Sequence, residues 1–132
     1  MEDIQIRSFL EHDIYAVQQL NKKEGWNTLV QQEEETLCAW LNSEPALIAL
    51  SEGEVVGYLR GLTDGTVTLY ICELLVKENY RSRGVAEHLI RTAHECFPST
   101  RVEMLASSDS EGYYADRGYR AFHGFRKSAE EI

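Results

Sequence analysis

"LLVKENYRSRGVAEHLI" (Leu74–Ile90) begins apolar, turns polar with Arg81 and Arg83 on either side of Ser82, reaches Gly84, and then takes up helical apolar spacing. It reads as a strand running through a tight turn into an amphipathic helix. The spacing predicts a helix over Gly84–Phe97, with Val85, Leu89, Ile90, Ala93 and Phe97 on its buried side and Pro98 as its stop. A helix mouth leaves N–H groups without intrahelical acceptors at the positive end of the dipole, so Gly84 to Glu87 suit an anion. Gly84 lets the backbone approach a phosphate, the two arginines add charge, and Ser82 adds a hydroxyl. An ordinary strand-to-helix turn carries the same local pattern, and the motif by itself leaves both readings open.

Upstream, "IQIRSF" (Ile4–Phe9) alternates as a strand. "HDIYAVQQLNKKEG" puts Ile14, Val17 and Leu20 at helical spacing, with Gly25 as the helix end. "TLVQQEEETLCAWLNS" reads as a second helix, with Thr28 as its cap and Leu37, Trp40 and Leu41 on one face. Pro45 to Val76 holds three apolar runs separated by "EGE" and "TDGT", turn signals between antiparallel strands. Downstream, "RVEMLA" is a short strand, "SDSEGYYADRG" a helix weakened by Gly112 and closed by Gly118, and "YRAFHGF" a final strand before a frayed tail, "KSAEEI". The order is β-α-α-β-β-β-α-β-α-β, an α+β (mixed α/β) fold with helices against one mixed sheet.

The chain has 132 residues, 43% of them apolar, which predicts one globular domain over residues 1–132. Charged residues make up 27%, spread along the chain, which argues against intrinsic disorder. No apolar run approaches the ~20 residues that span a bilayer, and "MEDIQIRSFL" lacks a basic-then-apolar leader, so a cytoplasmic protein with no membrane partner is expected. Net charge is 13 − 22 = −9, which disfavours nucleic acid and favours cationic small molecules such as amines. The same acidity also serves solubility alone. Cys38, Cys72 and Cys96 are far apart and show no zinc or disulfide spacing, so each is read as a small buried hydrophobe. His12, His88, His94 and His123 lack metal spacing, are read as surface residues, and no metal is expected.

Leu74 and Val76, followed by Arg81, Gly84 and Ala86, resemble the cofactor signature of the GNAT superfamily of N-acetyltransferases, a strand ending in L-x-V that runs into [Q/R]-x-x-G-x-[G/A] and a helix. Ala86 stands where glycine is commoner. The order of elements from Ile4 to Phe125 is similar to the superfamily fold, which implies a central, mostly antiparallel twisted sheet of about six to seven strands flanked by about four helices. The resemblance implies acetyl-CoA as donor, with its diphosphate on the backbone of Ser82, Arg83, Gly84, Val85, Ala86 and Glu87 beside Arg81. It implies that the pantetheine arm pairs with the main chain of Leu74, Leu75 and Val76 as an added strand does, next to a bulge that opens the cofactor strand. Superfamily members often form homodimers, and the resemblance leaves that open for this chain.

"YYADRGYRAF" carries the second specific segment: Tyr114, Gly118 and Tyr119 match the superfamily's Y-x-x-x-G-[F/Y]. There the tyrosine commonly donates a proton to the departing thiolate, a role the resemblance assigns to Tyr114, with Tyr113 as a rival that misses the spacing. Many relatives place Asn seven residues before the tyrosine, where this chain has Ser107. Glu73 interrupts the apolar run "LYICELLV" beside the cofactor strand, as a general base acting through water or as an anchor for a cationic substrate. Cys72 beside it has no histidine at motif distance to activate it as a nucleophile. "KKEGWNTL" lies where the superfamily lines its acceptor pocket, which makes Trp26 a candidate substrate contact and Glu24 a candidate to steer an amine, as does the run Glu33 to Glu35. The implied reaction is acetyl transfer to a primary amine, of a small cationic molecule or of a protein N-terminus or lysine. A non-catalytic acyl-CoA sensor is the reading from another class.

Overall fold

Alternating apolar runs build a five-stranded sheet in the order β1-β2-β3-β4-β5. The structure, a computed structural model, describes residues 3–132. Strands β1 (Ile4–Ser8), β2 (Ala46–Ser51), β3 (Glu54–Thr63) and β4 (Thr68–Val76) pair antiparallel in succession, and β5 (Arg101–Met104) joins β4 in parallel. Helices α1 (Ile14–Glu24), α2 (Asn27–Gln31) and α3 (Glu33–Leu41) connect β1 to β2. Helix α4 (Val85–Cys96) provides the crossover that a parallel β4–β5 pair requires, and α5 (Glu111–Asp116) follows β5.

The sheet buries each face against different helices. Val85, Leu89 and Ala93 of α4 pack on Leu59, Leu69, Ile71 and Val76. On the opposite face Val17 and Leu20 of α1 and Trp40 of α3 pack on Ile48, Tyr58 and Leu75. Fully burying side chains such as Leu89 and Leu59 stabilises the fold by roughly 1.5–3 kcal/mol each. Trp40 meets Tyr58 edge-on at 5.1 Å between ring centroids, fixing α3 to β3.

The element order is as expected, with differences in detail. The expected second helix is two, α2 and α3, divided at Gln32. In a continuous helix the Leu29 carbonyl would accept from Glu33. Here it accepts instead from Gln18 Nε2 (2.9 Å) and Thr36 Oγ1 (2.8 Å), and Thr28 is no cap. Leu41, expected to be buried, is 53% exposed, and Thr36 is buried in its stead.

The final strand over Tyr119–Phe125 does not form, so the described sheet has five strands rather than six to seven. Alternation stabilises a strand only when one face is covered. Phe122 and Phe125 are 83% and 94% exposed, and Gly124 abuts the Leu105 side chain beyond the end of β5 instead of lying alongside that strand. Cys38 and Cys96 are exposed rather than buried, and only Cys72 is half-buried. His94 is half-buried, its Nε2 at 2.9 Å from the Thr100 carbonyl.

Candidate active site

Cys72 is an extra residue in β4. Arg60 of β3 lies opposite Glu73 while Gly61 lies opposite Ile71, a bulge that leaves Cys72 without a partner. One inserted residue inverts the side-chain parity of a strand. Leu69 and Ile71 before the bulge therefore share the α4 face with Leu74 and Val76 after it, while Glu73 and Leu75 turn to the α1 face. Pairing with β5 covers only Thr68–Ile71. From the bulge onward β4 leaves β5, and the main chain of Glu73 to Val76 runs on without β5 beside it.

That open half-strand leads into the turn before α4. Ser82 and Gly84 have positive φ, 64° and 82°, and Gly84 is the N-cap of α4. Left-handed residues interspersed in a turn curl successive amides into an anion-binding concavity. Among the described residues, no backbone carbonyl accepts from the amides of Ser82 or of Gly84 to Glu87, and the first such bond of the helix is His88 N to Gly84 O at 3.0 Å. A Cβ built on Gly84 meets nothing within 4 Å, so no other part of the protein crowds the turn at that position. These residues fit a diphosphate.

Arg81, expected to add charge, is exposed but paired. Its Nε donates to the Val76 carbonyl (2.9 Å) and its Nη2 to Glu24 Oε1 (2.5 Å). Arg81 thereby pins the turn to the end of β4 and to α1, and Glu24 sits at that turn. Both line a cavity of about 530 Å³ with Leu20, Lys23, Leu75, Val76 and Lys77. Arg83 lies over the Tyr80 ring, 5.2 Å from its centroid.

Glu73 is held by a residue that no sequence motif singled out. Arg60 Nε donates to Glu73 Oε1 at 2.9 Å and Nη2 to Oε2 at 2.6 Å, while Nη1 reaches Ser43 Oγ at 3.1 Å. Both groups are mostly buried, at 15% and 18% side-chain exposure. Hydrogen bonding to Glu73 raises the Arg60 pKa above its ordinary value, against desolvation. Burial likewise raises the Cys72 thiol, with Arg60 opposing and Glu73 assisting, so Cys72 stays protonated and unsuited to nucleophilic attack.

Next to this pair, the buried Tyr58 hydroxyl donates to Asn21 Oδ1, and Asn21 Nδ2 donates to Gln18 Oε1 at 2.9 Å. Burial first, then the Glu73 carboxylate, push the Tyr58 pKa up, so it is a fixed donor. Trp26, half-buried, packs on the same cluster as Tyr58 and Leu75, which places it on the face of the sheet that carries Glu73.

Tyr113 and Tyr114 take different neighbours. Tyr114 packs edge-on between Tyr113 (5.1 Å) and Tyr119 (5.4 Å). Burial, then Tyr119, raise its pKa above the ordinary phenol value. Tyr113 faces the mouth of α4, where Arg117 stands 3.6 Å over its ring centroid and donates to Glu87 Oε1 at 2.6 Å. The Tyr113 hydroxyl is sealed from solvent without a well-formed hydrogen bond, and burial followed by the nearby Glu87 carboxylate pushes it up to about 12. Gly118, left-handed at φ 86°, closes α5 as expected. Arg60 could be paired with Glu73 only once the β3–β4 register was known. Arg117 had a weak signal, a cation just before the closing glycine.

The sequence matches the Acetyltransferase (GNAT) family over residues 11–125. No curated protein gives a significant match. Among solved structures, a GNAT-family acetyltransferase from Streptococcus pneumoniae TIGR4 superposes with TM-score 0.77 at 20% identity, covering 98% of this chain and 99% of its own. The PaiA N-acetyltransferase of Thermoplasma acidophilum, in complex with coenzyme A, gives TM-score 0.73 at 13% identity over 89% and 90% of the two chains. An aminoglycoside N-acetyltransferase in complex with CoA gives 0.72 at 18% identity over 98% and 97%. At these identities the likeness is one of fold.

Proposed function

Because the chain belongs to the GNAT family, whose members are acetyl-CoA-dependent acetyltransferases, we propose that it acetylates a primary amine of a small cationic molecule by direct attack in a ternary complex. The observation that carries this reading is the continuous path from the half of β4 that β5 leaves uncovered to the curled amides of Ser82–Glu87. Acetyl-CoA supplies the acetyl group as a thioester. The amides of Ser82–Glu87 hold its diphosphate, and the main chain of Leu74–Val76 aligns its pantetheine arm.

The amine must be neutral to attack, so one proton passes to water before the nitrogen bonds the acetyl carbon. The nitrogen then sheds a second proton to water as the carbon–sulfur bond breaks. Glu73 has both oxygens engaged by Arg60. It serves to fix the acceptor's ammonium through its remaining lone pairs, with Trp26 beside it. Tyr114, kept protonated by burial, donates a hydrogen bond to the leaving sulfur. A phenol of raised pKa stabilises a thiolate better than it fully protonates it, and solvent completes the transfer.

Thiol release from acetyl-CoA tests the reading against a panel of polyamines, aminoglycosides, amino-acid derivatives and a lysine-containing peptide. Release with a small cationic amine supports it. Release with the peptide alone reassigns the acceptor, and tight CoA binding without release in any arm makes the protein a sensor.

A further inference from the structure

We propose that Arg117 is a positioning residue of the cofactor cradle: by neutralising Glu87, it lets a helix mouth that carries its own acid accept a diphosphate. The inference rests on reading the amides of Ser82–Glu87 as the diphosphate site. Glu87 is the third residue of α4, so its carboxylate stands in the turn whose N–H groups would meet the anion. An acid there favours the helix end when nothing is bound and repels an incoming anion.

Arg117 is fixed against that acid by three contacts. Nε donates to Glu87 Oε1 at 2.6 Å, Nη1 donates to the Tyr113 carbonyl at 3.1 Å, and the guanidinium lies 3.6 Å over the Tyr113 ring centroid. Arg81, the arginine that stands at the family signature's position in this turn, is committed to Val76 and Glu24. The same contacts anchor α5, and Tyr114 packs edge-on against Tyr113. The arginine thus joins the cradle to the segment that carries the proton donor.

Without Arg117, a like charge stands about one helical turn from the diphosphate, which predicts roughly tenfold weaker binding at moderate salt. Calorimetric titration of CoA into the wild type, R117A, R117K and E87Q/R117A tests this, with thermal melts of each variant. R117A should weaken binding roughly tenfold, R117K should keep most of the affinity, and E87Q/R117A should recover it, because the acid that needed neutralising is gone. Unchanged affinity in R117A, or a loss that E87Q does not recover, would overturn the proposal while leaving the cradle in place. Absence of CoA binding by the wild type would remove the cradle itself, and this inference with it.

Discussion

Arg60 grips both carboxylate oxygens of Glu73 across the β3–β4 ladder, at 2.9 and 2.6 Å, immediately after the bulge at Cys72. A bidentate pair of this kind fixes the carboxylate in place as an anchor. Glu73→Gln should therefore raise KM for the amine by about tenfold, the size of one lost charge-assisted hydrogen bond, and leave the acid limb of the pH–rate profile in place. Initial rates across pH with wild type and variant check this. A flattened acid limb would make Glu73 the general base.

Tyr114 is expected to act through its hydroxyl alone. Tyr114→Phe should lower kcat by about 10²-fold, the ordinary scale for a lost hydrogen bond to developing negative charge, with CoA affinity unchanged. Because burial raises its pKa, the phenol stays protonated throughout the neutral range. The alkaline limb attributable to Tyr114 should lie above pH ~10. Wild-type turnover in the variant, or a Tyr114-dependent limb near neutrality, would exclude the role.

Arg7 and the buried Asp13 set an acid-sensitive element of stability. Asp13 accepts from Arg7 at 2.7 and 2.9 Å and from the Leu10 amide at 2.7 Å. Hydrogen bonding to Arg7, opposed by burial and assisted by the Leu10 amide, lowers its pKa. A depressed folded pKa means the stabilisation is complete above the unfolded value, about 3.9, and is lost as pH falls through the folded one. Asp13→Asn should cost roughly 2 kcal/mol at pH 7, with wild type and variant converging in denaturant melts at lower pH.

Leu89 is fully buried where α4 meets the sheet. Leu89→Ala should destabilise by about 2–5 kcal/mol, measured by urea unfolding. A loss under about 1 kcal/mol would mean that α4 packs less closely than described.

Most of the element order was legible because helical and alternating spacings report directly which side chains face a core. Leu89 and Ala93 on α4, and Val17 and Leu20 on α1, are buried as their spacing implied. The bulge came from the family resemblance alone, since Leu69–Val76 is apolar at positions of both parities apart from Glu73. The break at Gln32 was not legible, since it depends on Gln18 and Thr36 competing for one carbonyl across three elements. Nor did the alternation in Tyr119–Phe125 disclose that Phe122 and Phe125 stay exposed. At the candidate site, the turn at Gly84 could be read from local chemistry. Arg60, Arg81 and Arg117 take their bonds from residues 13, 57 and 30 positions away, and only the fold brings them together.

The curled amides before α4 carry the account, and Gly84 is where they are most exposed to challenge. A tryptophan there would project into space that holds no protein atom within 4 Å of its Cβ. It would cost only about 1–2 kcal/mol for the left-handed backbone. Calorimetric titration of CoA into wild type and Gly84→Trp, with a melting curve for each, is the most direct measurement. Saturable binding by the wild type and none by a still-folded Gly84→Trp is the predicted result; equal affinity in the two proteins would contradict it.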